Sequence, residues 1–348
     1  MSSTTSEKAW QQTALWIVLL AATSLLSLFL GTVPIQPGRI AGIFADFSGL
    51  PHGTVFEPWE QAVIFELRLP RLVLGLVCGA ALALCGAAMQ AMFRNPLACP
   101  GITGVSSGAA LGAVLAIFFN LSAYSPYFLP LLAFLGGLGA CWAVYAISSR
   151  RGHVSVPMLL LSGVALNSIN TSIIAFLLSL SFANYETGKQ IIFWTLGGLD
   201  TQSWPQIKLM LPFAAVGCAI IVCSYRELDA LSLGELHASS VGVDVRKVRR
   251  KLIFAAALAT ASTVALCGTI GFVGLIVPHI VRLIYGPHHR TLFPVCAAAG
   301  AVFLVLADIA ARTLIAPEEI RLGVITAACG GPFFLLLLVS GDRRGLDA

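Results

Sequence analysis

Long apolar stretches, broken by short polar ones, run the length of the chain. A helix needs about 20 residues to cross the hydrocarbon of a bilayer. Apolar runs of that order lie near 14–34, 72–93, 102–120, 128–148, 156–182, 207–224, 252–270, 271–285, 291–314 and 322–340. The pattern predicts an all-α, polytopic membrane protein of about ten transmembrane helices. The run 271–285 is the weakest, because it is short and holds Pro278, His279 and Arg282. Only a tight turn near Gly268 to Gly271 separates it from the run before, so the two spans are easily misread as one long kinked helix. The first run, Ala14 to Gly31, exceeds a signal-peptide core of about 7–15 residues, and Thr32-Val33-Pro34 is no small-x-small cleavage site. It reads as a retained first span.

Composition sharpens this. Of 348 residues, 57% are hydrophobic and 11% charged, against about 25% charged in an average soluble domain. Mean hydropathy is +0.88. So few charges cannot cover so much apolar surface in water, which excludes a cytosolic enzyme, a disordered chain and a nucleic-acid binder. The formal net charge is +5, and the placement of the cations sets orientation. One set of connections holds Arg94, Arg150, Arg151, Arg226, Arg246, Lys247, Arg249, Arg250, Lys251 and Arg290, with Arg343 and Arg344 in the tail. The opposite set holds Arg39, Arg68, Arg71, Lys189, Lys208, Arg312 and Arg321. The richer set faces the cytoplasm, and an even number of spans puts both termini there. No Gly/Ser linker divides the chain, so 1–348 reads as one transmembrane domain. Eight of the nine cysteines sit in apolar runs without a CxxC or a Cys/His cluster, and read as small hydrophobes rather than disulfide or metal partners.

Four stretches interrupt the apolar monotony. Arg68-Leu69-Pro70-Arg71 stands at the outer end of the second span; Pro70 suits a first helical turn, and the arginines either snorkel at the interface or meet acidic groups of an external partner. Arg94-Asn95-Pro96-Leu97-Ala98-Cys99-Pro100-Gly101 is a rigid cytoplasmic link, either a plain turn or a constriction at the inner mouth of a pathway. The stretch 226–251 carries Ser232-Leu233-Gly234-Glu235, spaced as a capping box, then a short helix to about Val241 that stops at Gly242, then Asp244 as cap of a basic helix. It is either a lipid-attracted basic loop or a partner surface. The C-terminal third holds Asp308 and Arg312, spaced to pair on one helix, and His279 and His288-His289, read as packed polar groups rather than relay or metal ligands.

No Gly-x-x-x-x-Gly-Lys-Ser/Thr loop, nucleophile elbow or His-Glu-x-x-His helix is present, so no catalytic residue, metal or cofactor is assigned. Few ionisable groups lie deep in the spans, unlike an ion-coupled carrier. An intramembrane enzyme using Asp308 and His279 would need groups nearly a full span apart in depth.

Arg68 to Arg71, Gly79 to Gln90, Asn95-Pro96-Leu97-Ala98, Gly104 to Gly108, Phe272 to Arg282, Asp308 with Arg312, and Gly323 to Phe333 together resemble the permease subunit of type II ABC importers, which take up iron–siderophore complexes, haem or cobalamin. The resemblance runs from about Arg68 to Leu338. It implies a dimer with a second copy or a homologous permease, two cytoplasmic ATPase subunits that bind the ATP, a periplasmic or lipid-tethered substrate-binding protein, and residence in the inner membrane among its lipids. It places binding-protein docking on Arg68, Arg71 and Arg312, and a cytoplasmic gate on Asn95, Leu97 and Ser155. ATPase coupling falls on Leu233, Gly234, Glu235, Ala238, Val241 and Gly242. An iron chelate is the expected cargo, with cobalamin the alternative and an ion-coupled carrier behind it. The path is expected to be lined from 72–93 and 156–182. Two departures stand out: Cys99 where relatives carry an acid, and Arg321 where they carry Pro, adding a positive charge beside the docking face.

Overall fold

The computed structural model describes residues 3–51, 53–150, 153–181, 184–200 and 203–345. Arg151 lies outside the described residues, as do the side chains of Lys8, Arg150, Arg343 and Arg344. The described chain is almost entirely helical. α1 (Ser3–Phe29) leads to a surface helix, α2 (Pro37–Phe47), and then to α3 (Pro58–Ala62), which runs on through a wide π turn at Val63–Arg68 into α4 (Leu69–Phe93). Pro70 has no N–H for the carbonyl four residues back, and the turn widens just before it. The continuous helix therefore begins at Pro58, nearly four turns before the predicted start at 72.

α5 (Val105–Phe118) and α6 (Phe128–Ser148) form an antiparallel pair. A two-residue ladder, Ser149–Arg150 with His153–Val154, then turns the chain into α7 (Val156–Leu180). A half-length helix, α8 (Tyr185–Leu196), precedes α9 (Trp204–Cys223), and the short α10 (Tyr225–Ser232) and α11 (Glu235–Ser240) follow. The chain closes with α12 (Val245–Cys267), α13 (Val273–Tyr285), α14 (His289–Thr313) and α15 (Leu322–Gly345). Gly268 and Phe272, both at positive φ, end α12 and open α13, so 252–285 is two helices rather than one kinked one.

Six helices among the described residues are long and apolar enough to cross a membrane. Four shorter apolar ones, Ala14–Phe29, Val105–Phe118, Val273–Tyr285 and Leu322–Leu337, fall on the remaining apolar runs of the sequence. α4 is the axis of the subunit. Its apolar window is 78% buried, with α9, α12, α13 and α14 around it. Backbones touch because glycines face each other: a Cβ on Gly79 would overlap the Gly300 carbonyl of α14, and one on Gly86 the Gly274 carbonyl of α13. The expectation that 72–93 lines a path is therefore left with a narrow face, since Val73, Leu76, Val77 and Ala80 alone keep partial exposure between Leu72 and Phe93. α7 is the opposite case, with only 22% of its window buried.

Pro278 inside α13 leaves the Gly274 carbonyl without its helical donor. Gln90 Nε2 reaches into this gap, 3.5 Å from the Gly274 carbonyl and 3.1 Å from the Leu275 carbonyl, and Arg282 Nη1 holds Gln90 Oε1 at 3.1 Å. In hydrocarbon, where water cannot take up a freed carbonyl, such side-chain repair is what permits a proline within a span.

Candidate functional site

At the end that the cation count assigns to the outside, α1 stops at Phe29 and leaves its last carbonyls without partners. Arg68 and Arg312 supply them. Arg68, 5% exposed, donates to the carbonyls of Leu28, Phe29 and Val33. Arg312, 3% exposed, donates to the Ser27 and Leu30 carbonyls at 3.3 and 3.2 Å and to Ser27 Oγ at 2.9 Å. A cation at a helix C-terminus also meets the negative end of its dipole. Asp308 balances the charge: its carboxylate takes Arg71 Nε at 2.8 Å and Arg312 Nη2 at 3.0 Å. The local pairing read from spacing is therefore part of a triad. Arg71 Nη1 also reaches Glu319 at 2.9 Å, on the exposed link between α14 and α15.

The three arginines thus converge on one cluster, with Arg68 and Arg312 turned inward. Arg71 and Glu319 stand at its rim, in a cleft of about 290 Å³ that also takes in Glu66 and Asp200. Arg321 does not present a spare positive charge. Its Nη1 lies 3.0 Å from Asp200 Oδ2, and its guanidinium stacks 4.0 Å from the Phe193 ring centroid.

At the other end, Arg94 closes α4 in the left-handed conformation and Asn95 Oδ1 accepts the Leu97 N–H at 2.9 Å, an Asx turn. Asn95 and Leu97 are half-buried. Burial pushes the Cys99 thiol up, against the pull of the Gly101 and Ile102 N–H groups, so the sulfur is a neutral packing group. The link is tied to α7: a Cβ on Gly163 would overlap the Ile102 carbonyl, and Asn167 Nδ2 bonds the Gly101 carbonyl at 3.3 Å. Ser155 opens α7 and lines a cleft of about 660 Å³ shared with Glu235, Ser239, Asp244 and Arg249. The structure thereby sets Ser155 beside the stretch assigned to coupling.

The stretch 226–251 is three helical pieces. The predicted capping box does not form. Ser232 belongs to α10 and donates to the Asp229 carbonyl at 2.7 Å, while Gly234, at φ +122°, starts α11 without a side-chain cap. Gly242 ends the turn at φ +85°, where a β-carbon would be strained, and Asp244 caps α12 through the Lys247 N–H at 3.1 Å. Lys247 holds the Asp244 carboxyl below the usual range, by its backbone N–H first and its ammonium second.

Four bonds clamp α10 and α11 to α12 and α14. Glu235 pairs with Arg249 at 2.6 Å, Glu227 with Lys251 at 2.9 Å, and Asp229 Oδ1 accepts both the backbone N–H of His289 at 2.9 Å and its ring Nδ1 at 2.6 Å. Leu228, Leu231 and Ala238 are buried, whereas Leu236 is 90% exposed and Leu233 and Val241 are also exposed. The three exposed apolar side chains lie on a segment held from behind.

Sequence reasoning missed several of these groups. Asp229 with His289, Glu319 with Arg71, and Gln90 with Arg282 pair across long separations that no spacing reveals. Ser107 is a second example: its hydroxyl bonds Asn167 Oδ1 at 2.6 Å and receives Asn170 Nδ2 at 3.0 Å. The two asparagines within an apolar run were the available signal, because buried amides require partners.

The model of a protein family described as the FecCD transport family matches residues 19–340. The chain belongs to the FecCD transport family. It is 44% identical over 289 residues to the cobalamin import system permease protein BtuC of Halobacterium salinarum, covering 82% of this chain and 76% of that one. Over 340 residues it is 36% identical to the vitamin B12 import system permease protein BtuC of Escherichia coli, covering 98% and 99%. A transporter assigned to the metal-chelate type of ABC transporters, solved in an inward-facing conformation, superposes with a TM-score of 0.77 at 34% identity, covering 93% and 97%. This FecCD chain is the permease subunit of an ABC importer, a multi-pass protein of the inner membrane.

Proposed function

We propose that the chain carries a corrinoid of the cobalamin class inward. It would do so as one half of a two-permease channel driven by two separate ATPase subunits and fed by an extracytoplasmic binding protein. Ten helices cross the membrane in this reading, with both termini in the cytoplasm. Two relatives, matched over 82% and 98% of this chain and named for cobalamin or vitamin B12 import, support the cargo. An iron chelate is the second reading, favoured by the likeness to a metal-chelate transporter.

The observation that carries the coupling role is the exposed row Leu233, Leu236 and Val241 on a segment clamped to α12 and α14. An ATPase that grips this row moves the clamped helices with it. α7 faces the path and the partner permease. Its exposed surface combines a stripe of small and hydroxyl groups, Ala165, Ser168, Ser172, Ala175 and Ser179, with Leu161, Ile169, Ile173 and Phe176. A helix facing lipid alone has no need of such a stripe, whereas a path that must release a bulky cargo gains from weak, mixed contacts. Asn95, Leu97 and Ser155 bound the inner mouth. On the outside, Arg71 is the docking cation that an acidic group of the binding protein reaches first, with Arg68 and Arg312 behind it.

Reconstitution with the ATPase subunits tests this. Uptake of labelled cyanocobalamin that requires ATP supports the reading. Uptake of a ferric chelate or haem in its place moves the cargo to the second reading. Accumulation driven by an ion gradient without ATPase subunits refutes the permease mechanism.

A further inference from the structure

α14 is held by side-chain hydrogen bonds at both ends, and the two ends belong to different sites. Its first residue is His289, 1% exposed, and the His288 before it provides no side-chain cap. The cap comes from another helix. Asp229 of α10 places one oxygen on the His289 backbone N–H, at 2.9 Å, and on its ring Nδ1, at 2.6 Å. A carboxylate there meets both an unsatisfied donor and the positive end of the helix dipole. About 29 and 35 Å away along the axis, at about 1.5 Å per residue, Asp308 and Arg312 enter the cluster that holds the end of α1.

Between these ends α14 cannot slide freely. The mutual contact of Gly300 and Gly79 presses it against α4, and Leu304 and Val305 are buried in the same interface. Pro294 removes one bond of the second turn, but Phe293 packs its ring 5.1 Å from that of His289 and fills the turn. The other charged or titratable groups acting on His289 are Arg282 of α13 and its neighbour His288.

We propose that the Asp229–His289 clasp makes α14 the rod that carries the position of the coupling segment to the outer arginine cluster, so that nucleotide binding below alters the docking face above. Asp229 and His289 are positioning residues in this scheme, acting through α14 on Asp308, Arg312 and the end of α1. The inference rests on the coupling role proposed for α10 and α11.

The test uses the full chain in nanodiscs with its ATPase subunits, exposed Cys223 and Cys329 replaced by serine, and a reporter thiol introduced by Leu314→Cys at the exposed outer end of α14. Maleimide labelling is timed with and without a non-hydrolysable ATP analogue. The parent is expected to change its labelling rate with nucleotide. Asp229→Ala is expected to shrink that change by about fivefold or more, the scale of ordinary site-to-site coupling. Asp229→Asn, which keeps an acceptor in place, is expected to retain most of it. His289→Ala, which keeps the backbone bond, is expected to fall between and serves if Asp229→Ala does not fold. ATPase bound normally with an unchanged response in Asp229→Ala and His289→Ala overturns the rod and leaves coupling standing. A parent that binds ATPase but shows no outer response also overturns it. A parent that binds no ATPase overturns the coupling role and this inference together.

Discussion

Replacing Arg68 by methionine separates a structural arginine from a docking one. The guanidinium donates to the Leu28, Phe29 and Val33 carbonyls just where α1 runs out of its own donors. Methionine retains much of the volume and removes every donor. An unsatisfied buried acceptor costs about 1–3 kcal/mol. Two such carbonyls, the third being free to turn toward the surface, put the loss at about 2–6 kcal/mol. Removing the cation also takes away attraction to the helix dipole, worth a further fraction of a kcal/mol. Reversible unfolding in mixed micelles, followed by circular dichroism against denaturing detergent, reads that difference directly. Hydrogen exchange at 26–30 should rise in step, because the damage is local to the end of α1. A variant with parental unfolding and exchange that has lost only its affinity for a binding protein would refute the assignment, and would mean that the inward-turned guanidinium swings out to serve a partner.

Other consequences follow from the same structure. Leu236→Asp is expected to leave the fold intact, since the side chain is 90% exposed, yet weaken ATPase binding by about thirtyfold, the effect of losing a contact worth about 2 kcal/mol; pull-down titration measures it. Gly86→Val forces a side chain into the Gly274 carbonyl and is expected to abolish folded protein on gel filtration, whereas Gly139→Ala, with nothing near its Cβ, should be silent. The Asp244 cap is pH-dependent in a definite sense. Its folded value lies below the ordinary 3.8, so its stabilisation is fully present above 3.8 and is lost as pH falls through the lowered folded value. Protection at 245–248, taken as the intrinsic exchange rate over the observed rate at each pH, should be high at neutral pH, lower in acid, and low throughout in Asp244→Ala; equal protection in both proteins would show that the cap does nothing.

Hydropathy alone placed the apolar helices, because a chain that must satisfy its backbone inside hydrocarbon has few alternatives to the helix. The same logic made Asp308 and Arg312 legible, as two groups one turn apart on one helix. It failed where the partner of a polar group lies elsewhere. Arg71 finds Glu319 248 positions away, and Asp229 finds His289 60 positions away. Arg321, an extra cation by sequence, is neutralised by an aspartate 121 positions earlier. The capping box at Ser232 failed because the motif is local whereas the end of α10 is not, Ser232 being drawn into α10 by the burial of Leu228 and Leu231.

What the sequence determined by itself is the set of long apolar helices and their order, since each depends on residues close together in the chain. Which helix is enclosed and which is open was decided only by tertiary structure. α4 and α7 are comparably apolar, yet glycine contacts with α13 and α14 bury the first while the second keeps a free face. The arginines divide in the same way. Their presence is written in the chain, but their task depends on where α1 ends in space, because an unsatisfied carbonyl within reach of a guanidinium is a fact of packing and not of spacing.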